Sequence, residues 1–145
     1  MLVKGGKMDK EKIYDFLKKY GLCVLSTASK NSKPQSAVMS YVIRGNSLFV
    51  FTEKNTRKYK NIAENNLVSI VVGGLKDDPS VQIDGTINEM SQDEGTQLKT
   101  YTLSIHPEWN GYFDSPEGRW FEIKPSWMRY SDFSTNPRSI FEITV

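Results

Sequence analysis

The sequence predicts a mainly β, α+β fold: a small antiparallel barrel with two or three helices at its periphery. Three observations carry that reading. Short runs of strand formers follow one another across tight turns, without the regular strand–helix alternation of a doubly wound parallel sheet. Helical spacing is confined to three stretches that fall between groups of strands. The chain has 145 residues, 38% of them hydrophobic and 25% charged, which is ordinary globular composition. That length suits one domain over 1–145, whose core needs neither disulfides nor metal.

The first helix is expected over 8–20. Ile13, Phe16, Leu17 and Tyr20 form one apolar stripe, with Asp9 as N-cap and Gly21 just past the end. From residue 22 the period shortens. Residues 22–28 read as a strand, 29–34 as a turn and 35–43 as a second strand. Arg44-Gly45-Asn46 has the chemistry of a hairpin turn into a third strand over 47–52. There Leu48, Phe49, Val50 and Phe51 are consecutive, which implies burial on both faces or an interface on one.

A short helix follows over 55–65, with Tyr59, Ile62 and Ala63 on one face. Residues 67–72 and 81–90 read as strands, Gly85 marking a bulge or bend in the second. Ser91 and Glu94 have capping-box spacing, with Ser91 as N-cap of a third helix. That helix should turn Leu98, Tyr101 and Thr102 inward and stop at His106-Pro107. Residues 107–118 read as a loop, and 119–124, 127–133 and 139–145 as closing strands or fragments.

Composition removes several function classes. Nineteen Lys and Arg against seventeen Asp and Glu leave a net charge of +2, too mild for nucleic-acid binding by bulk charge. The single cysteine, Cys23, forms no intrachain disulfide or cysteine-rich zinc site, and the single histidine, His106, excludes two-histidine metal motifs. There is no P-loop and no strand–GxGxxG–helix unit. No apolar run approaches the roughly 20 residues of a membrane helix. The opening stretch, Met1 to Lys7, is too short and its continuation too polar for a secretion signal. The expected setting is a reducing cytoplasm, without membrane or nucleic-acid partners.

The densest functional signal is Lys54-Asn55-Thr56-Arg57-Lys58-Tyr59-Lys60, basic at four of seven positions where a strand ends and a helix begins. Free N–H groups and the positive dipole end of the helix, joined by Arg57 and Lys58, would cradle a phosphate, with Thr56 capping the helix or donating its hydroxyl. A solvated basic helix face explains the same spacing equally well. Trp109, Tyr112, Phe113, Trp120, Phe121, Trp127, Tyr130 and Phe133 gather late in the chain, suited either to stacking on a planar ligand or to packing in a core or dimer. Cys23 reads as a buried inert thiol and His106 as a capping or surface residue. No close carboxylate pair suggests acid–base catalysis, which leaves a cofactor to carry any reaction.

Several segments in this order have a familiar look: Gly21-Leu22-Cys23-Val24-Leu25-Ser26-Thr27, Lys33-Pro34-Gln35-Ser36, Leu48-Phe49-Val50-Phe51-Thr52, Thr56-Arg57-Lys58-Tyr59-Lys60-Asn61-Ile62, Asn65-Asn66-Leu67-Val68-Ser69-Ile70 and Val81-Gln82-Ile83-Asp84-Gly85-Thr86-Ile87. The chain resembles the pyridoxamine 5′-phosphate oxidase-like FMN-binding proteins, in the branch similar to general stress protein 26, most closely over residues 10–90. The resemblance implies a split β-barrel, a homodimer, and FMN in a cleft at the subunit interface. Carried over by position, Arg57 and Lys58 would grip the FMN phosphate, with Thr56 at the edge of that site. Phe51 and Thr52 would line the ribityl and phosphate region. Ser36, Ala37, Val38 and Met39 would run along the flavin with their backbone groups against the ring. Ser80 or Gln82 would reach it from the partner subunit.

The sequence also departs from the pattern of the oxidases it resembles. Ser36 stands where many have an arginine and Tyr41 where they have a lysine, and the C-terminal arginine and histidine that hold a pyridoxal substrate have no counterpart in 139–145. Trp120 and Trp127 are the candidates for a stacking wall. The implied function is an FMN-dependent oxidoreductase with its small-molecule substrate left open, NAD(P)H being one possible electron donor. The alternatives are a non-catalytic flavin-binding or flavin-storage protein, or a barrel without flavin that serves protein interaction.

Overall fold

Nine strands and three helices make up residues 3–145, the part of the chain that this computed structural model describes. Met1 and Leu2, the first residues of the stretch weighed as a secretion signal, lie outside it. In chain order the elements are β1 (Val3–Lys4), α1 (Lys7–Lys19), β2 (Leu22–Ala28), β3 (Pro34–Ser40), β4 (Val42–Arg44), β5 (Ser47–Glu53), α2 (Arg57–Glu64), β6 (Leu67–Gly73), β7 (Ser80–Glu89), α3 (Gln92–Ile105), β8 (Gly118–Asp132) and β9 (Ser139–Thr144). A 3₁₀ turn over Pro107–Trp109 follows α3.

All strands belong to one sheet in the order β1-β9-β8-β7-β6-β2-β3, with β5 joined to β8 and β4 to β5. Every pairing is antiparallel except that of β1 with β9. The fold is α+β and mostly β, but the sheet is not closed: β3 pairs only with β2, and β5 approaches it without a ladder. The strand expected over 35–43 breaks at Tyr41: Tyr41, Val42 and Ile43 are buried in succession, Val42 in a second core, and the Tyr41 hydroxyl donates to the Leu17 carbonyl at 2.5 Å. Past it, β4 forms a hairpin with β5 across Gly45-Asn46, Gly45 taking the positive φ of 61° that the turn needs.

β8 is a single 15-residue strand where two were expected. Asp84 faces Trp127 and Gly85 faces Pro125, so Ser126 is the extra residue of a bulge. The bulge therefore lies in β8, opposite Gly85. Pro125 is tolerated at this irregular position, where the missing N–H costs the ladder little. A Cβ on Gly85 would stand 2.5 Å from the Lys124 carbonyl oxygen, so the close approach of β8 requires glycine. One edge of β8 serves β7, and the other serves β5 and then β9.

The unbroken apolar run of β5 is buried on both faces. Leu48 and Val50 enter the main core with Leu25, Ile70, Ile83, Ile123 and Met128. Phe49 enters a second core with Val42, Leu98 and Trp120, against which Phe51, Tyr101 and Phe113 pack. Burying a side chain of this size contributes about 1.5–3 kcal/mol. α3 of the same chain thus covers the face of β5 that was weighed as an interface.

The helices depart from expectation in two details. Gly6, not Asp9, caps α1; Asp9 lies at N3, and its carboxylate accepts from the Gly6 N–H at 3.0 Å. In α2 the buried positions are Asn61 and Ile62, while Ala63 is exposed. Asn61 Nδ2 takes the inward place by donating to Thr27 Oγ1 (3.1 Å) and Gln35 Oε1 (3.3 Å), tying α2 to β2 and β3. α3 begins at the Ser91–Glu94 capping box and ends at His106. No helix among the described residues is long and apolar enough to cross a membrane.

Candidate functional site

Where the sheet fails to close, a cleft of about 480 Å³ opens between β3 and β5. β3 contributes Val38, Met39 and Ser40, and β5 contributes Phe49, Phe51, Thr52 and Glu53. Thr56 and Lys58 follow from the start of α2, Thr102 from α3, Trp109, Tyr112 and Phe113 from the segment leading into β8, and Trp120 from β8 itself. The cleft lies against the free edge of β3, whose outward backbone N–H and C=O groups have no strand to pair with.

Six of the eleven residues picked from the sequence line this cleft: Val38, Met39, Phe51, Thr52, Thr56 and Lys58. Ser36, Ala37, Arg57, Ser80 and Gln82 do not. Ser36 is exposed and its Oγ lies 2.9 Å from Ser26 Oγ, while Ala37 shares the inner face of β3 with Met39. Arg57 is exposed next to Lys58. Gln82 lies on the outer face of the sheet and Ser80 begins β7.

Two parts of the cleft wall differ chemically. At the start of α2, Thr56 is the N-cap: its hydroxyl accepts from the Tyr59 N–H at 3.2 Å and donates to the Glu53 carbonyl at 2.9 Å. Capping consumes that hydroxyl, so Thr56 holds the helix start in place. The first turn of α2 has no acidic residue and instead carries Arg57 and Lys58, neither of which makes an ion pair among the described residues. Two cations at a helix N-terminus oppose the dipole there. Their positive potential is uncompensated by the helix and suits an anion. Glu53, exposed, is the one carboxylate on the cleft wall.

Another part of the wall is aromatic. Phe51 meets Phe113 and Trp120 edge-on, both at centroid distances of 5.3 Å, and Phe113 lies 4.8 Å from Trp120. Trp109 continues the wall at 6.3 Å from Phe113 and stacks on His106 at 4.0 Å. His106 itself stays outside the cleft, its Nδ1 2.9 Å from Glu108. Trp127, the other candidate wall, does not line it. Tyr41 does, but its hydroxyl is spent on Leu17, and burial raises its pKa above the ordinary range, so it supplies no charge. Cys23 is 3% exposed, its thiol pushed by burial up to about 12.

Sequence reasoning passed over Val42, Phe49 and Thr102 as site residues. The hairpin register, which sets Val42 opposite Phe49, was the signal for the first two. Thr102 was read correctly as inward-facing, but periodicity does not distinguish core from cleft floor.

A model of the family described as pyridoxamine 5′-phosphate oxidase matches residues 9–132. A pyridoxine/pyridoxamine 5′-phosphate oxidase from Ehrlichia ruminantium (strain Welgevonden) is 38% identical over 72 residues, covering 49% of this chain and 37% of that protein's length. Among solved structures, general stress protein 26 from Bacillus anthracis str. Sterne superposes with a TM-score of 0.69 at 25% identity, over 83% of this chain and 92% of that one. A heme binding protein from Mycobacterium smegmatis shares the fold, with a TM-score of 0.79 at 14% identity over 98% of this chain and 59% of that one.

Proposed function

Since the chain belongs to the pyridoxamine 5′-phosphate oxidase family, we propose that it is an FMN-dependent oxidoreductase built as a split barrel, with FMN in the cleft between β3 and β5. The observation that carries this reading is the uncompensated basic start of α2 in the wall of a cleft that aromatic side chains also line. Lys58, with Arg57 beside it, would hold the phosphate. Phe51 and Thr52 would line the ribityl chain, and the free edge of β3 along Val38 and Met39 would face the polar rim of the ring. When bound, FMN supplies the hydride and electron chemistry. The chain's residues bind, orient and exclude water.

We further propose a homodimer. Val38, Val24 and Val71 stand side by side across β3, β2 and β6 on the outer face of the sheet, and Gln82 continues the row. Leu22 (59% exposed) and Val38 (68% exposed) belong both to this face and to the cleft. A second copy covering the face would complete the cleft and carry its own Gln82 toward it.

The test is a titration of FMN and riboflavin into wild type and the Arg57→Ala/Lys58→Ala variant, followed by flavin fluorescence. Two charge-assisted contacts, each worth about 1.5–3 kcal/mol, set the expected loss of FMN affinity at about a hundredfold or more. Riboflavin lacks the phosphate and should be nearly indifferent. Equal losses for both ligands, or none for FMN, overturn the assignment. A storage role is favoured by one observation: β9 carries neither arginine nor histidine for a pyridoxal substrate. Steady-state NAD(P)H oxidation by the FMN-loaded protein separates the two, turnover supporting the oxidoreductase.

A further inference from the structure

Thr102 stands apart from the other threonines of α3. Thr96 and Thr100, both exposed, donate their hydroxyls to carbonyls one turn back, Gln92 O at 3.0 Å and Thr96 O at 3.2 Å. Thr102 is 0% exposed, yet its Oγ1 has no hydrogen-bond partner among the described residues. A buried hydroxyl has lost its bonds to water, and nearly all such groups recover them from the protein. Back-bonding within the helix is the usual recourse, as its two neighbours show. Thr102 forgoes it and lines the cleft.

Its place in the cleft follows from its neighbours. One turn back, Leu98 packs with Val42, Phe49 and Trp120, and the adjacent Tyr101 donates to the Ile43 carbonyl at 2.9 Å. Thr102 is thus anchored near the beginning of β5, whereas Thr56 and Lys58 follow its end. Phe49 and Thr52 are separated by about 10 Å of extended chain. The unpartnered hydroxyl and the basic junction are thus anchored at different points along β5. The cleft that Thr102 lines is also lined by Trp109, Phe113 and Trp120, which suit a flat ring.

We propose that the Thr102 hydroxyl hydrogen-bonds the polar edge of a planar heteroaromatic ring held against the aromatic part of the cleft wall. This rests on the reading given above, under which that ring is the isoalloxazine of FMN. The hydroxyl serves either as donor to a ring carbonyl or nitrogen, or as acceptor from a ring N–H. Oγ1 has almost no accessible surface in this conformation, so the groups that cover it must move to admit the ring. Thr102 anchors the ring as Lys58 anchors the phosphate.

The experiment titrates FMN and riboflavin into wild type, Thr102→Val and Thr102→Ser, recording flavin fluorescence, the visible spectrum of the bound flavin, and tryptophan fluorescence. Thr102→Val should weaken both ligands alike, by about three- to tenfold, the worth of one neutral hydrogen bond. It should also shift the visible bands and leave the ligand-free protein at least as heat-stable as wild type. Thr102→Ser should retain affinity and spectrum, and Thr102→Ala gives the same comparison if valine prevents folding. Unchanged flavin affinity and spectrum in Thr102→Val overturn the inference while the phosphate contrast of Arg57→Ala/Lys58→Ala still supports the flavin reading. A less stable ligand-free Thr102→Val also overturns it, because the hydroxyl would then have a protein partner. No uptake of either flavin by wild type overturns both readings.

Discussion

Gly118 lies directly against the ring of Phe51: a Cβ at position 118 would stand 1.9 Å from Phe51 Cζ. Phe113 and Trp120 pack edge-on against the same ring. Gly118→Ala should therefore displace it from its place in the cleft wall. The expected result is a loss of about 1–3 kcal/mol of stability, typical of overpacking, together with weaker FMN binding. Thermal melts and FMN titration measure the two effects. A variant that melts and binds like wild type would mean that the Phe51 ring is not confined.

The row Val38–Val24–Val71 yields a prediction about assembly. Val38→Lys should place a charge at the β3 end of the proposed dimer face, where an unpaired buried charge is strongly disfavoured. Sedimentation velocity at micromolar concentration should show wild type at twice the chain mass and the variant at the chain mass. A monomeric wild type would remove the homodimer and the role of Gln82 with it.

Cys23 should be chemically silent in the folded protein. With its thiol pushed up to about 12 by burial, the thiolate fraction at pH 8 is on the order of 10⁻⁴. An aromatic disulfide reagent at that pH should react slowly with native protein and quickly after addition of denaturant. Rapid modification of the native chain would contradict the burial.

The start of α3 makes stability depend on acid. The Ser91 hydroxyl and backbone N–H hold the Glu94 carboxyl below its ordinary range. A depressed folded pKa adds stability above the unfolded value, and that contribution is lost as pH falls through the folded one. Glu94→Gln should lower the melting temperature near neutrality, and the gap from wild type should close as pH drops below the ordinary glutamate range. Ser91→Ala should cost about 1 kcal/mol. A gap that stays constant with pH would show that the carboxylate's charge plays no part in the cap.

Particular residues show how far the sequence was legible. Ser91 and Glu94 marked the start of α3 because a capping box is local chemistry, complete within four residues. Thr56 as N-cap and Gly45 in the hairpin were readable for the same reason. The break at Tyr41 was not, since the partner of its hydroxyl is a carbonyl in α1, 24 residues away in sequence. Pro125 looked like a strand break, and only the pairing with β7 shows it absorbed at the Ser126 bulge. Within the site, Lys58 and Phe51 were visible through residue type and order. Thr102 lacked any local signal, because an inward-facing threonine looks alike whether core or cavity lies beyond it.

The free edge of β3 carries a cellular consequence. Unpaired strand edges are templates on which other chains add themselves, and Pro34 blunts only the first position of this one. Anything seated along the edge therefore also shields it from aggregation. Occupancy adds free energy by mass action, about 2.7 kcal/mol at a hundredfold excess over Kd. The pool of ligand in the cell would then govern how long the folded molecule lasts as well as whether it works. In a depleted cell, these chains should be lost to clumping and proteolysis before any defect in chemistry is felt.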